Sequence, residues 1–252
     1  MAESELSLSI VTATHNSADT IASCFDSIAE QTYRNVQHIV VDGASTDGTQ
    51  DVVTSHSHQP DVFQSEPDAG VYDGLNKGVR LASGDVIGFL HSDDMYGSCV
   101  TLEHVADCFK NPSTQAVYGD LQYVAQAEPN RIIRQWIAGN YSPRQLRLGW
   151  MPPHPTLFVR RAWYERIGDF DIRYKIAADY HFILRLFREP DFTAHYLPEV
   201  LVKMRVGGVS NRSISSIIKK SREDLDALHR TEMGGLFTLL SKNIRKINQF
   251  FH

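Results

Sequence analysis

The sequence predicts an α/β fold in which a mainly parallel sheet is flanked by helices. Residues 86–90 form a continuous apolar run, which is typical of a strand buried on both faces of a parallel sheet. Residues 6–41 follow the order strand, helix, strand, and the helix carries Ile21, Phe25 and Ile28 on one face. With 252 residues and 42% hydrophobic content, the chain can bury one substantial core.

The first strand, residues 6–11, is not followed by a familiar phosphate-binding loop. Neither Gly-x-Gly-x-x-Gly nor Gly-x-x-x-x-Gly-Lys-Ser/Thr occurs there, which argues against dinucleotide oxidoreductases and phosphate-loop ATPases. The second strand, residues 36–41, ends in Asp42, which can accept a hydrogen bond from a nucleobase or ribose. The alternative is that Asp42 only forms a turn beside Gly43.

A polar segment follows the third predicted strand, residues 62–65. Lys77 can meet a phosphate, and Asp73 can hold that lysine or a ribose; alternatively, both belong to a solvated helix face.

Two adjacent carboxylates, Asp93 and Asp94, follow the apolar strand 86–90. Ligands of open α/β sheets bind at this end of the strands. Neighbouring carboxylates repel each other unless a cation neutralises them, and Mg²⁺ or Mn²⁺ with oxygen ligands suits both this pair and a diphosphate. The alternative is that Asp94 caps a following helix.

The second half offers three further candidates. A strand at 116–120 ends at Asp120, on the side expected for an acceptor, and a hairpin joins 121–124 to 131–136. A long loop, 139–153, ends at His154 before a short strand at 156–159, and long loops in compact domains are often functional. A helix over 176–188 begins beside Asp179. His154 has a structural alternative, and Asp179 has helix capping as its alternative.

Charge and cysteine content exclude several classes. A net charge of −5 and a pI near 6.1 argue against nucleic-acid binding. Three cysteines without metal-type spacing suggest free thiols in a reducing compartment. Because neither a signal peptide nor a spanning segment is evident, we expect a cytoplasmic protein, at most peripheral on the inner membrane.

Four segments together resemble the motifs of family 2 glycosyltransferases. They are Val-Thr-Ala-Thr-His-Asn at 11–16, Val-Asp-Gly-Ala-Ser-Thr-Asp-Gly-Thr at 41–49, Asp-Ala-Gly-Val-Tyr-Asp-Gly-Leu-Asn-Lys-Gly at 68–78 and His-Ser-Asp-Asp at 91–94. Residues 153–161 and 177–186 extend the resemblance over about the first 210 residues. The resemblance implies a GT-A fold with a Rossmann-like sheet, a nucleotide-diphosphate sugar donor, a divalent metal and inversion at the anomeric carbon.

The resemblance also implies a role for each candidate residue. The nucleotide and its diphosphate would be bound by Thr12, Asn16, Asp42, Asp68, Asp73 and Lys77. Asp93 would lie near the ribose and Asp94 would ligate the metal, although the spelling His-Ser-Asp-Asp leaves open which carboxylate binds the ion. Asp179 would be the catalytic base, and His154 would contact diphosphate, metal or acceptor.

We predict a glycosyltransferase domain over 1–211, with a nucleotide-binding half at 1–120 and an acceptor-binding half at 121–211. The Gln-x-x-Arg-Trp motif of processive relatives is absent, so one sugar per encounter is expected. The expected reaction moves a sugar from a UDP-sugar to a glycan or lipid-linked acceptor in bacterial surface polysaccharide synthesis. Two alternatives are a catalytically silent sugar-nucleotide or glycan-binding module, and a nucleotidyltransferase, which would need a glycine-rich activating loop after the first strand.

Residues 212–252 form a predicted helical extension that is both basic and apolar. Its cations are Arg212, Lys219, Lys220, Arg222, Lys242, Arg245 and Lys246, and its apolar residues include Leu236, Phe237, Leu239, Leu240, Ile244, Ile247, Phe250 and Phe251. Such a helix can lie on an anionic membrane. The alternative is that its apolar face packs on the catalytic domain or pairs two subunits into a homo-oligomer.

Overall fold

The computed structural model describes residues 5–206 and 214–248. Its strands are β1 (Leu8–Thr14), β2 (Val36–Asp42), β3 (Val62–Ser65), β4 (Val86–Phe89), β5 (Asp94–Tyr96), β6 (Ala116–Val124), β7 (Ile132–Trp136), β8 (Phe158–Arg160) and β9 (Ala194–Arg205). Its helices are α1 (Ile21–Ala29), α2 (Thr49–Ser55), α3 (Val71–Leu81), α4 (Thr101–Cys108), α5 (Pro143–Arg147), α6 (Ala162–Ile167), α7 (Ala178–Arg188), α8 (Ile214–Arg230) and α9 (Leu236–Asn248), and a 3₁₀ turn spans His154–Thr156.

The strands form one mixed sheet in the order β3-β2-β1-β4-β8-β6-β9-β5, with β7 paired to β6. Parallel pairing runs through β3-β2-β1-β4 and recurs between β6 and β9. Strand β8 is antiparallel to both β4 and β6 and so joins the two predicted halves into a continuous sheet. The α/β fold with a mixed sheet and C-terminal helices is therefore confirmed.

Strand alternation divides the core into one hydrophobic cluster on each face of the sheet. On β1, Val11 and Ala13 belong to the cluster under α3, whereas Ile10 belongs to the cluster under α1. The ends of the parallel strands are aligned, because Thr14 pairs with Asp42 and Asp42 pairs with Ser65. The loops after β1, β2, β3 and β4 consequently leave the sheet at the same edge.

Two local predictions are corrected by the structure. Residues 94–96 form β5, antiparallel to β9 with Asp94 opposite Met204, so Asp94 does not cap a helix. Residues 94–96 become a strand because they pair with the twelve-residue strand β9, and this pairing is not visible in the local sequence. The predicted loop 139–153 contains α5, whose first turn is capped by Ser142.

The C-terminal helices pack on the body of the protein. Helix α8 contacts α7, and α9 contacts α8. Within the described ranges, no helix is both long and apolar enough to cross a membrane. Residues Arg212, Phe250 and Phe251 and the side chains of Lys246 and Ile247 lie outside the described part.

Candidate active site

The loops after β1 and β2 are bonded to each other at the edge of the sheet. The Asn16 N–H donates to Ser45 Oγ at 2.8 Å, and the Thr46 N–H donates to Asn16 Oδ1 at 3.0 Å. Asn16 has φ 51°, a left-handed conformation that asparagine tolerates better than most residues. Two of the motifs that resemble nucleotide-binding segments are thus brought together.

Asp42 is fully buried at this edge. Its carboxylate accepts from Ser45 N–H at 3.0 Å and Ser65 Oγ at 2.6 Å, and the Ser45 hydroxyl bonds to its other oxygen. The chain's own donors therefore fix Asp42, as the turn-forming alternative expects. A contact to a base would have to use the remaining acceptor capacity of the carboxylate.

Thr12 faces the layer under α1 rather than the loops. Its hydroxyl lies 3.1 Å from His38 Nε2 and also bonds to Cys24. The hydroxyl of Thr12 is thus engaged within the fold, and its part in a nucleotide pocket stays a prediction.

Asp68 lies against two glycines. A Cβ on Gly43 would be 2.6 Å from Asp68 Oδ2, and one on Gly74 would be 3.4 Å from the same atom. The Gly70 N–H donates to Asp68 Oδ1 at 2.9 Å. The glycines of the motifs at 41–49 and 68–78 thus make room for this carboxylate beside the end of β2.

Lys77 ties the loop after β3 to α3. Its Nζ lies 2.8 Å from a Glu66 oxygen and 3.7 Å from Asp73, and the hydrogen bond to Glu66 raises the pKa of Lys77. Asp73 accepts from Ala69 N–H at 3.0 Å. The ion pair between Glu66 and Lys77 is not evident from the sequence, because no motif pairs a glutamate with a lysine eleven residues later.

Asp94 is buried with only partial compensation. Within residues 5–206 and 214–248, neither of its carboxylate oxygens has a hydrogen bond of good geometry. Burial and the neighbouring Asp93 raise the pKa of Asp94 well above its usual range, and the backbone N–H and the charge of Arg205 offset this only in part. A buried and only partly compensated carboxylate is costly, so this pair favours either a bound proton or a cation.

Arg205 fixes the backbone that carries the pair. Its guanidinium donates to the Asp93 carbonyl oxygen at 2.8 Å and to Ser23 Oγ at 2.9 Å. This contact from β9 was not evident from the sequence, since the two residues lie 112 positions apart.

The half-buried His91 and the buried His154 lie close to the acidic pair. The rings of His91 and His154 are 6.2 Å apart, and His154 also packs on Phe89 and Phe170. Burial lowers the pKa of His154 to about 4, and neither of its ring nitrogens has a hydrogen-bond partner in the part of the chain that is described. His154 is therefore neutral near pH 7, so it can offer a lone pair or a single N–H.

Asp179 lies in the first turn of α7, near these two histidines. The Tyr72 hydroxyl lies 3.1 Å from Asp179 Oδ1. Burial lowers the pKa of both His91 and His154, and the charge of the nearby Asp179 raises each pKa and so offsets part of the shift. The cap residue of α7 is Ala177, so the capping alternative for Asp179 is wrong.

Asp120 is an anchor within the fold. Its Oδ1 accepts from Ala138 N–H and from the Tyr196 hydroxyl, both at 2.8 Å. It is almost completely buried on β6. Oδ1 of Asp120 is thus occupied by hydrogen bonds within the fold. The role of Asp120 on the acceptor side stays a prediction.

The residues present fit a divalent cation that is shared with a substrate. No cluster of three or more His, Cys, Asp or Glu side chains suited to a metal occurs among the described residues. Asp93 and Asp94 would supply oxygen ligands, and Mg²⁺ or Mn²⁺ commonly takes the rest from substrate phosphates and water.

Solved structures with a similar fold include complexes with nucleotide sugars. The fold matches S. aureus TarS in complex with UDP-GlcNAc with a TM-score of 0.69 and 18% identity, over 90% of this chain and 65% of that chain. It matches a mannosyltransferase from Pyrobaculum calidifontis in complex with GDP-Man and Mn2+ with a TM-score of 0.64 and 20% identity, over 92% of this chain and 65% of that chain. The present chain thus spans about two thirds of these solved chains, and the likeness defines the GT-A fold.

Sequence comparison places the chain in a family. Residues 9–186 match the model described as glycosyl transferase family 2, so the chain belongs to that family and is a nucleotide-sugar glycosyltransferase. It is 33% identical over 208 residues to a PGL/p-HBAD biosynthesis glycosyltransferase of Mycobacterium bovis, covering 81% of this chain and 78% of that protein. It is 29% identical over 239 residues to an uncharacterized glycosyltransferase of Mycobacterium tuberculosis, covering 90% and 86%.

Proposed function

We propose that the protein transfers one sugar from a UDP-sugar to an acceptor hydroxyl, with divalent-metal dependence and inversion at the anomeric carbon. The observation that carries this proposal is the buried and only partly compensated Asp94 beside Asp93, with Asp179 near the two histidines. The nucleotide complexes of similar solved structures support the donor class.

The proposed donor pocket is formed by the bonded loops at the edge of the sheet. Asn16, Asp42 and Asp68 lie on these loops, and Asp73 and Lys77 adjoin them on α3. Lys77 would meet the diphosphate as a cation, and Asp93 would approach the ribose. These roles are proposals that follow the family resemblance residue by residue.

The proposed chemistry at the acceptor depends on Asp179. A metal held by Asp94 and Asp93 would neutralise charge on the diphosphate leaving group. Asp179 takes the proton from the acceptor hydroxyl. At the same time the oxygen of that hydroxyl forms a bond to the anomeric carbon, and the bond from the anomeric carbon to the diphosphate oxygen breaks. Tyr72, 3.1 Å from Asp179 Oδ1, orients the carboxylate. A single displacement of this kind inverts the anomeric centre.

The proposed acceptor is a glycan or lipid-linked hydroxyl in bacterial surface polysaccharide synthesis. A relative named as a PGL/p-HBAD biosynthesis glycosyltransferase supports a biosynthetic role. A purified protein should be incubated with a panel of nucleotide sugars and Mn²⁺, and nucleotide release and the anomeric configuration of the product should be measured. Retention at the anomeric carbon would contradict the single displacement. Binding without any turnover of donor would favour a silent sugar-nucleotide-binding module.

The exposed face of helix α9 supports a proposed membrane contact. This face differs from the basic and apolar one that the sequence predicts. Lys242 is not a surface cation, because it is buried in an ion pair with Asp224 at 2.9 Å, and Leu239 is buried as well. The outward residues are Leu236, Phe237, Leu240 and Ile244, with exposed fractions of 54–73%. They fall within about 100° of the helical projection, so α9 presents an apolar stripe to the outside.

The proposed partner of this stripe is an anionic lipid surface, with exposed cations of α8 as the charges that would meet the headgroups. On α8, Lys219 and Arg222 are exposed, Glu223 and Asp224 are bonded inward, and the exposed Asp226 is paired with Arg230. Exposed apolar patches of this kind usually contact another surface. The proposed localisation is therefore peripheral, on the cytoplasmic face of a bacterial inner membrane.

Flotation on vesicles tests this contact. Phe237→Ser with Ile244→Ser should lose binding to anionic vesicles, and wild-type binding should weaken as salt rises. Ile132→Ser, at an isoleucine on β7 that is 53% exposed, is the control and should still float. Unchanged flotation of the double variant would contradict the proposal, and loss of an oligomer without any lipid binding would favour subunit pairing.

A further inference from the structure

The first turn of α7 is held by a residue outside the matched family region. The N–H groups of Ile176 and Ala177 both donate to Glu223 Oε2 on α8, at 2.8 and 3.0 Å. The family match ends at residue 186, before α8 begins. Helix N-termini need acceptors for their free N–H groups, and Ala177, the cap residue, has no side-chain acceptor. Glu223 therefore caps α7 from another helix.

The same peptide is fixed from its opposite side by Tyr72. The Tyr72 hydroxyl lies 2.8 Å from the Ile176 carbonyl oxygen and 3.1 Å from Asp179 Oδ1. Ile176 is thus bonded through its N–H to α8 and through its carbonyl to α3. Asp179 follows three residues later in the turn that these contacts fix.

A second carboxylate of α8 holds the same segment. Asp226 Oδ2 accepts from the Tyr174 hydroxyl at 2.6 Å and pairs with Arg230 at 2.7 Å. Helix α8 therefore contacts the chain at residues 174, 176 and 177, immediately before Asp179. Two carboxylates of α8 thus make three hydrogen bonds to this short segment.

We propose that Glu223 is a positioning residue for Asp179 and that α8 completes the acceptor side of the active site. The inference rests on the proposed function in one respect, the role of Asp179 as the base. A base misplaced by about 1 Å can lower the rate by roughly 10²-fold. Donor binding should be spared, because the proposed donor loops are bonded to one another at the edge of the sheet.

The test compares Glu223→Ala, Glu223→Gln and Glu232→Ala in the full chain. The alanine variant removes both hydrogen bonds and should lower kcat by roughly 10- to 100-fold, with the Kd for UDP within about threefold of wild type. The glutamine variant keeps an acceptor oxygen and should restore most of the turnover. Glu232 pairs with Arg188 at the other end of α7, at 3.3 Å and exposed, so Glu232→Ala is a matched control that should keep wild-type turnover.

Three outcomes would overturn the inference. They are wild-type kcat in a folded Glu223→Ala variant, a glutamine variant as slow as the alanine one, and an equal loss in Glu232→Ala. If Glu223→Ala does not fold, Tyr174→Phe removes the bond from this segment to Asp226 of α8 without touching Asp179, and should give the same separation of kcat from Kd. Asp179→Asn, measured alongside, separates the two proposals: full turnover there contradicts the proposed function, whereas a loss there with unchanged Glu223→Ala contradicts only this inference.

Discussion

At the scale of single residues, a buried histidine makes the stability of the fold depend on pH. His38 is 1% exposed, and its ring nitrogens lie 3.1 Å from Thr12 Oγ1 and 3.1 Å from His58 Nε2. Burial and, to a smaller degree, His58 lower the pKa of His38 to about 3. In the unfolded chain the pKa returns to about 6.5.

The sign of the effect follows from proton uptake. Below pH 6.5 the unfolded chain binds a proton that the folded chain does not, so the contribution of His38 is complete above pH 6.5 and is lost as the pH falls toward about 3. The slope approaches about 1.4 kcal/mol per pH unit for such a group. Urea unfolding at pH 7 and pH 5 should show a shallower pH dependence in His38→Gln than in the wild type. His195→Gln, at an exposed position, should keep the wild-type slope, and an unchanged slope in His38→Gln would contradict this account.

The motif residues were predictable from the sequence, whereas their partners were not. The short motifs that resemble those of the family contain Asp93, Asp94 and Asp179. Their supports come from distant positions: Arg205 reaches Asp93 across 112 residues, and Tyr72 reaches Asp179 across 107. Such pairs depend on tertiary packing, which a single sequence does not display.

At the scale of elements, the packing of α3 on β1 depends on one glycine. A Cβ on Gly78 would lie 2.2 Å from Val11 Cγ1. Overpacking should cost about 1–3 kcal/mol, and a gain in helix propensity of about 1 kcal/mol offsets part of this cost. Gly78→Ala should therefore lower the free energy of unfolding by up to about 2 kcal/mol. Gly74→Ala on the same helix meets Ala13 Cβ at 3.3 Å and should cost less.

A double-mutant cycle measures that contact directly. Val11→Ala removes the methyl groups that Gly78→Ala would meet, so the two changes together should cost less than the sum of the single changes. Urea unfolding gives all four free energies. Strict additivity, or a Gly78→Ala protein as stable as the wild type, would show that the helix shifts freely on the strand.

The attachment of α9 depends on a buried ion pair. Lys242 and Asp224 are 4% and 2% exposed, and the Lys242 ammonium lies 3.1 Å from the centroid of the Tyr180 ring. Burial lowers the pKa of Lys242, although Asp224 opposes this. Lys242→Ala leaves a buried carboxylate unpaired and should cost about 3–5 kcal/mol. Lys242→Met with Asp224→Leu should be close to wild type, and an equal loss in both proteins would contradict the reasoning. Unfolding by urea provides the comparison.

Periodicity explains which elements could be predicted. The strands at β2 and β3 and the helix at α7 were expected nearly as observed, because each has a strong apolar pattern. Strand β5 has three residues and owes its conformation to β9. Helix α9 has an amphipathic sequence, but only the structure reveals that Thr238, Leu239 and Lys242 face inward.

At the scale of the whole molecule, one sheet carries the residues of both proposed sites. The proposed donor loops leave the parallel strands at one edge, whereas Asp179, the proposed base, comes from a helix of the predicted second half. Strand β8, paired with both β4 and β6, holds the halves in one sheet. The metal and base roles should therefore be separable by mutation, although both serve one reaction.

The most direct test measures UDP binding and sugar transfer in Asp94→Asn and Asp179→Asn, each with Mn²⁺ and with a chelator. Asp94→Asn should lose transfer together with the metal-dependent part of UDP binding, because an amide is a poorer ligand for a hard cation. Asp179→Asn should keep metal-dependent UDP binding and lose transfer by roughly 10²–10⁴-fold, the range for loss of a general base. Undiminished transfer by the wild type in chelator, or a fall in UDP affinity with normal turnover in Asp179→Asn, would contradict the account.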